Sequence, residues 1–258
     1  MTKSLIFFDI DGTLVNGEGI IPTSTKEGIA VLKELGHEVV IATGRAPFMF
    51  EDIRNELDID TYICFNGQLI VQGDEIIHKN PLNPEGLRLL TAEAEKNGHP
   101  IVHVDHYGIG ASDPHHDHII ESMQPDNLEV PLIHDAHYYQ GRDILQTMMF
   151  FRENERAPYE PMFTDFRFTR WHPLAVDVDP AGGSKAKGCE IVMQHLGYKM
   201  EHVFAFGDGL NDLDMLSFIS NGIAMGNGHP KAKKIAKYVT KPVHEDGIYH
   251  GLKMMRLI

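Results

Sequence analysis

The sequence has few cysteines and no long apolar run. Its only cysteines, Cys64 and Cys189, are too few for a disulfide framework or a cysteine zinc site. No segment approaches the roughly 18 apolar residues of a membrane-spanning helix, and the apolar run at residues 5–8 is too short for a signal peptide. We therefore expect a soluble, cytoplasmic protein with no membrane partner.

Positive charge is also scarce. The 258 residues include 23 Lys or Arg against 37 Asp or Glu, which gives a formal charge of −14 with the histidines counted neutral. An acidic excess of this size repels nucleic acids and anionic membrane surfaces, and no basic patch offsets it. We therefore expect no nucleic-acid partner.

Two stretches of the sequence alternate between strand and helix patterns. An apolar run at residues 5–8 precedes an amphipathic segment at 24–35 and a second apolar run at 38–42. Ser24 and Glu27 have the spacing of a capping box, which predicts a helix start at Ser24. The alternation resumes after residue 185, and it predicts an α/β fold whose Rossmann-like parallel sheet is covered by helices.

The middle of the chain has a different pattern, with short apolar runs separated by few helical segments. We interpret residues 83–178 as an α+β cap domain inserted between the two parts, 1–82 and 179–258, of one α/β core. The insert has 7 basic and 16 acidic residues, a net charge of −9. Its His103, His106 and Arg170 are candidate substrate contacts.

Carboxylates follow two of the predicted core strands. Asp9 and Asp11 follow the run at residues 5–8, and Asp208 and Asp212 follow a run at 203–206. Ligands of parallel sheets bind at the carboxyl ends of the strands, so these groups converge if both strands are central. Carboxylates about 4 Å apart repel by roughly 4 kcal/mol at an effective dielectric constant of about 20. The cluster therefore calls for a hard cation, Mg²⁺ or Ca²⁺.

Two common motifs can be excluded. An EF-hand loop starting at Asp9 needs Gly at its sixth position and Glu at its twelfth, where this sequence has Leu14 and Ile20. A dinucleotide fingerprint starting at Gly207 needs a third glycine where Asp212 stands. Neither a calcium loop nor a dinucleotide site is expected.

Four separated motifs occur in order along the chain. They are Asp9-Ile10-Asp11-Gly12-Thr13, Thr43-Gly44-Arg45, Ser184-Lys185, and Gly207-Asp208-Gly209-Leu210-Asn211-Asp212. Together they resemble the haloacid dehalogenase (HAD) superfamily. The segments at residues 222–227 and 245–248 are similar to its Cof-type phosphatases, in which a large cap is inserted between the second and third motifs.

The resemblance implies a role for each acidic residue. Asp9 is expected to be the nucleophile that forms an aspartyl-phosphate, and Asp11 the general acid and base. Mg²⁺ is the implied cofactor, with the side chains of Asp9 and Asp208 and the main-chain carbonyl of Asp11 as protein ligands. Asp212 is expected to orient metal-bound waters from behind these ligands.

The resemblance also implies a phosphate-binding set. Thr43, the Gly44 amide, Lys185 and Asn211 are expected to bind the substrate phosphate, and Lys185 also to hold the Asp9 carboxylate. Family members commonly have Gly directly after the motif lysine, whereas Ala186 follows Lys185 here. Lys187, which precedes Gly188, is therefore a competing candidate.

The resemblance therefore implies a Mg²⁺-dependent phosphatase that hydrolyses a small phosphate ester, a sugar phosphate or similar metabolite. One alternative is a hexose phosphomutase that uses the same aspartyl-phosphate chemistry. Another is a non-catalytic phosphate-binding regulator, which predicts the loss of a catalytic residue, and none is lost. The cap charge further favours leaving groups that are neutral or cationic.

Overall fold

The computed structural model of the chain describes residues 3–124, 131–155 and 159–258. The chain divides into two compact units. The first comprises Met1–Arg45, Glu51–Lys79 and Ser184–Ile258, and the second comprises Ala46–Phe50 and Asn80–Gly183. The α/β class predicted from the sequence is confirmed.

The strands, in chain order, are β1 (Leu5–Phe8), β2 (Glu38–Ala42), β3 (Thr61–Cys64), β4 (Leu69–Gln72), β5 (Glu75–Lys79), β6 (Ile101–Val104), β7 (Ile109–Ala111), β8 (Ile133–His134), β9 (Gln146–Phe150), β10 (Phe166–His172), β11 (Ala175–Pro180), β12 (Val203–Gly207), β13 (Asn221–Ala224) and β14 (Tyr238–Val239).

The α-helices, in chain order, are α1 (Thr23–Glu34), α2 (Glu51–Leu57), α3 (Pro84–Lys96), α4 (Asp117–Met123), α5 (Tyr159–Met162), α6 (Lys185–His195), α7 (Leu213–Phe218), α8 (Pro230–Ile235) and α9 (Gly247–Met254). No helix within the described ranges has both the length and the apolar character needed to cross a lipid bilayer.

The first unit is built on an eight-stranded sheet in the order β14-β13-β12-β1-β2-β3-β4-β5. The strands from β14 to β3 are parallel, and β4 and β5 add an antiparallel edge. Phe8 at the end of β1 lies in register with Phe206 of β12 and Ile41 of β2. The residues that follow β1, β2 and β12 therefore leave the sheet side by side at one edge.

Helices cover both faces of this sheet. Leu5 and Phe7 of β1 belong to a buried cluster that includes Cys189 and Val192 of α6. On the other face, α9 approaches so closely that a Cβ on Gly251 would lie 2.5 Å from the Phe206 ring. Burial on both faces explains why β1 reads as a continuous apolar run, Leu-Ile-Phe-Phe, rather than an alternating one.

The second unit contains a six-stranded sheet in the order β10-β11-β9-β6-β7-β8. Its neighbouring strands are antiparallel except for β7 and β8. Leu87 and Leu90 of α3 pack in one buried cluster with Ile101, Met149 and Val176 of the sheet. This arrangement is the α+β architecture that the sequence pattern predicts for the middle of the chain.

Two local expectations are wrong. Helix α1 begins at Thr23 after Pro22, without a side-chain cap hydrogen bond, so Ser24 does not form the predicted capping box. His103 is fully buried in β6, and its Nδ1 lies 2.9 Å from the Thr147 hydroxyl oxygen. Burial lowers the pKa of His103 to about 3, so it is a neutral residue of the interior rather than a substrate contact.

Candidate active site

Three carboxylates converge where β1 and β12 end. Oxygen atoms of Asp9, Asp208 and Asp212 all lie within 4.8 Å of one another. Asp9 directly follows β1, and its backbone N–H donates to the Phe206 carbonyl of β12 at 3.0 Å. The parallel pairing of two central strands thus brings together acidic residues that lie about 200 positions apart in the sequence.

A single buried lysine joins two of these carboxylates. Lys185 is the first residue of α6, and its Nζ lies 2.5 Å from Asp9 Oδ1 and 2.7 Å from Asp212 Oδ1. Burial alone would lower the pKa of Lys185, but the charges of Asp212 and Asp9 raise it above its usual value. The ammonium group therefore stays charged and fixes the rotation of the Asp9 carboxylate.

Lys187, the competing candidate for the motif lysine, lies at the surface rather than in the carboxylate cluster. Its side chain is exposed, and its Nζ pairs with Glu190 at 2.6 Å, one turn further along α6. Its backbone N–H donates to the Ser184 hydroxyl, which caps the helix at 3.2 Å. The helix therefore directs Lys185 into the carboxylate cluster and Lys187 to the surface.

Asp212 organises the loop that carries Asp208. Its Oδ1 accepts from Lys185, while its Oδ2 accepts from the backbone N–H groups of Asp208 at 2.9 Å and Gly209 at 2.8 Å. Both of its oxygens are thus used in holding other residues of the cluster. Asn211 lies on the same turn, Leu210–Asp212, and is exposed.

The cluster has more negative charge than its lysine can neutralise. Burial, followed by the charge of Asp212, raises the pKa of Asp9 to about 8 and that of Asp208 to about 6. A cation bound at these oxygens would lower both pKa values again, because it would favour the ionised carboxylates. Carboxylate oxygens at this spacing are the donor set that suits a hard cation such as Mg²⁺.

The second motif lies at the same edge of the sheet. Thr43 and Gly44 follow β2, the neighbour of β1, and Thr43 is buried. A short turn after β3 holds them, because the Asn66 N–H donates to the Thr43 carbonyl at 3.0 Å. A Cβ on Gly44 would lie 3.0 Å from Asn66 Oδ1, so the close approach of this turn favours glycine at position 44.

One contact of the site was not predicted from the sequence. The Arg45 guanidinium binds both oxygens of Asp11, with Nε 3.0 Å from Oδ2 and an Nη atom 2.6 Å from Oδ1. Asp11 is otherwise exposed to solvent. In the sequence, only the position of Arg45 next to Thr43-Gly44 pointed to the ion pair with Asp11. An arginine in that position is equally consistent with an exposed surface charge.

The fold agrees with the comparisons to known proteins. The family of haloacid dehalogenase-like hydrolases matches residues 6–252, and the chain belongs to that family. The Bacillus subtilis (strain 168) protein named "Putative phosphatase YkrA" is 41% identical over 258 residues, which is all of both chains.

Solved structures that resemble this chain support the same family assignment. A crystal structure of a hypothetical protein from Geobacillus kaustophilus HTA426 is 47% identical, with a TM-score of 0.95 over 100% of both chains. Sugar phosphatase BT4131, of HAD subclass IIB, is 32% identical, with a TM-score of 0.85 over 100% of both chains. The chain is therefore a phosphatase of the HAD superfamily, of the Cof type.

Replacing Lys185 by Met should reduce both the phosphatase activity and the free energy of unfolding. The change leaves Asp9 and Asp212 buried without their shared cation, which should lower the free energy of unfolding by about 3 kcal/mol. Loss of the positioned charge should reduce phosphatase activity by about 100-fold or more. Urea unfolding and hydrolysis of p-nitrophenyl phosphate measure the two effects.

Lys187→Met is the matched control, because it removes an exposed lysine from the same turn of α6. We expect its unfolding free energy to stay within about 0.5 kcal/mol of the wild-type value. Equal effects of the two substitutions would contradict the assignment of Lys185.

Proposed function

We propose that this phosphatase hydrolyses a small phosphorylated metabolite, a sugar phosphate or a related ester, with Mg²⁺ and with the phosphoryl group held transiently on Asp9. The observation that carries the proposal is the ammonium group of Lys185, shared between Asp9 and Asp212 inside a carboxylate cluster. This arrangement supports a nucleophile that is fixed in place next to a cation site.

Asp9 would act first. One of its oxygens forms a bond to the phosphorus, the bond from phosphorus to the ester oxygen breaks, and the electron pair leaves with that oxygen. Lys185 supports this step by holding Asp9 Oδ1, so that the carboxylate enters the reaction without losing rotational freedom.

Asp11 would move the protons. It donates a proton to the departing ester oxygen, and it then accepts one from the water that attacks the phosphorus and breaks the bond to Asp9. In the structure both Asp11 oxygens are bound by Arg45. Because Arg45 occupies both oxygens, Asp11 must leave Arg45 before one of them can reach the departing ester oxygen.

Asp9, Asp208 and the Asp11 carbonyl are the proposed ligands of Mg²⁺. The ion would supply positive charge to neutralise the phosphoryl oxygens as charge develops on them. Lys185, the Thr43 hydroxyl, the Gly44 amide and Asn211 would bind the same oxygens as hydrogen-bond donors. Lys185 is buried and therefore already desolvated, which strengthens its contribution.

We further propose that residues 83–178 form the cap that selects the leaving group. The net charge of −9 in this segment supports a preference for neutral or cationic leaving groups, since further phosphates or carboxylates would be repelled. The name of BT4131, a sugar phosphatase, describes a related protein with a leaving group of this kind.

The Asp11→Asn variant should separate the two chemical steps. The nitrophenol of p-nitrophenyl phosphate departs without a proton, so Asp9 should still be phosphorylated, whereas water attack loses its general base. We expect a burst of about one nitrophenol per enzyme and a steady rate about 100-fold or more below wild type. Stopped-flow absorbance measures both quantities.

Asp9→Asn in the same Asp11→Asn background is the control, and it should abolish the burst. Omission of Mg²⁺ in the presence of EDTA should abolish it as well. A burst that persists in either case would refute the proposed mechanism.

A screen of phosphate esters tests the proposed substrate class. Sugar phosphates and phosphorylated amino alcohols should have higher kcat/KM than nucleoside triphosphates or sugar bisphosphates, because the latter carry extra negative charge. Free phosphate should be released without a bisphosphate activator, whereas the phosphomutase alternative predicts isomerisation of a hexose phosphate. Higher kcat/KM for nucleoside triphosphates than for every monoester would overturn the substrate class.

A further inference from the structure

A loop between β13 and α8 runs along the carboxyl ends of the strands that carry the site. The Met225 N–H donates to the Gly207 carbonyl at 2.9 Å, and the His229 N–H donates to the Asp208 carbonyl at 2.8 Å. Gly228 packs against the Asp208 backbone, where a Cβ would lie 3.1 Å from Asp208 Cα. The backbone of this loop is therefore fixed to the loop that presents Asp208.

One side chain of this loop joins three separate segments of the chain. Asn227 Nδ2 donates to the Gly12 carbonyl at 2.8 Å and lies 3.5 Å from Asp208 Oδ2. Its Oδ1 accepts from the Val243 N–H at 2.8 Å. The two hydrogens of one amide group can serve both Gly12 and Asp208, while the amide oxygen anchors the group from behind.

Asp208 consequently has a neutral donor at each of its oxygens. Thr13 Oγ1 lies 3.4 Å from Asp208 Oδ1, opposite the Asn227 contact at Oδ2. Gly12 touches the same carboxylate so closely that a Cβ there would overlap it, and Gly12 has a φ of 76°. The Gly12 peptide and the Asp208 side chain are thus packed as one unit, and Asn227 bonds to both parts of it.

We propose that Asn227 is a positioning residue that holds Asp208 and the Gly12 peptide in the geometry required by a divalent cation. The inference rests on the proposed function, which makes Asp208 and the Asp11 carbonyl metal ligands. The Gly12 N–H, which shares a peptide plane with the Asp11 carbonyl, donates to the Val15 carbonyl at 3.0 Å, so the bond from Asn227 to the Gly12 carbonyl fixes the adjacent peptide of the same turn. The donors at the Asp208 carboxylate are a hydroxyl and an amide, which are uncharged. They orient the carboxylate without cancelling the negative charge that attracts the metal.

The test compares Asn227→Ala with Asn221→Ala. Asn221 lies at the other end of β13, and its Nδ2 also donates to two backbone carbonyls, those of Val203 at 2.9 Å and Glu201 at 3.4 Å. The control therefore removes a similar set of hydrogen bonds from the start of β13, at the end of the strand away from the carboxylates. Asn227→Leu repeats the test with a side chain of similar size that cannot form hydrogen bonds.

Two readouts are needed. The first is the Mg²⁺ concentration that gives half of the maximal increase in Tm, which is independent of activity. The second is the Mg²⁺ concentration for half-maximal hydrolysis. For Asn227→Ala we expect both midpoints to rise by about tenfold and kcat to recover to within about threefold of wild type at saturating Mg²⁺. Asn221→Ala should lower the Tm of the metal-free protein and leave both midpoints unchanged.

Midpoints for both Asn227 variants within about twofold of wild type would overturn the inference and leave the proposed function standing. An equal shift in Asn221→Ala would also overturn it, since the effect would then be one of general stability. Wild-type protein that hydrolyses esters without any response to Mg²⁺ would refute the metal requirement itself, and with it the role of Asn227.

Discussion

Three converging carboxylates, two of which share one buried ammonium group, are the constraint on which the site depends. Asp9 and Asp212 are almost fully buried, and Lys185 lies between them. Two like charges about 4 Å apart repel by roughly 4 kcal/mol at an effective dielectric constant near 20, so such a cluster persists only where cations and hydrogen-bond donors are built around it. The first unit contains such donors at the ends of β1 and β12.

The surrounding structure can be understood as the support of this cluster. The parallel register of β1 with β12 places Asp9 beside the loop of Asp208, and helix α6 begins where Lys185 can reach two carboxylates. Asp212 uses its second oxygen to hold the Asp208 loop through two amides. Glycine at position 12 lets the backbone approach the Asp208 carboxylate where a Cβ would overlap it, and glycine at position 44 allows a close approach to the Asn66 side chain.

The sequence was most informative where local pattern and chemistry coincide. The run Leu5–Phe8 predicted β1 with its observed bounds, and the acidic residues after it predicted where the cluster would form. Helix phase decides between Lys185 and Lys187, which are two positions apart on α6 and so face different directions. The sequence left that choice open because family members commonly have Gly directly after the motif lysine, and here Gly188 follows Lys187 rather than Lys185.

Other features could not be predicted because they depend on tertiary contacts. Arg45 binds Asp11 across a sequence separation of 34 residues, and Asn227 binds Gly12 across a separation of 215 residues. Both contacts form only when the fold brings these segments together. His103 sits within a short apolar run, but nothing in that pattern says that a polar ring will be buried and neutral. The capping box at Ser24 does not form because α1 begins at Thr23, directly after Pro22, so Ser24 already lies inside the first helical turn.

The central claim is that Asp9 carries the phosphoryl group. Borohydride reduces an acyl phosphate to an alcohol, so quenching a reaction with borohydride and mapping the peptides by mass spectrometry reports the phosphorylated residue directly. The account predicts homoserine at position 9, formed only when substrate and Mg²⁺ are both present. Modification of a different residue, or none at position 9 while hydrolysis proceeds in the Asp11→Asn variant, would contradict it.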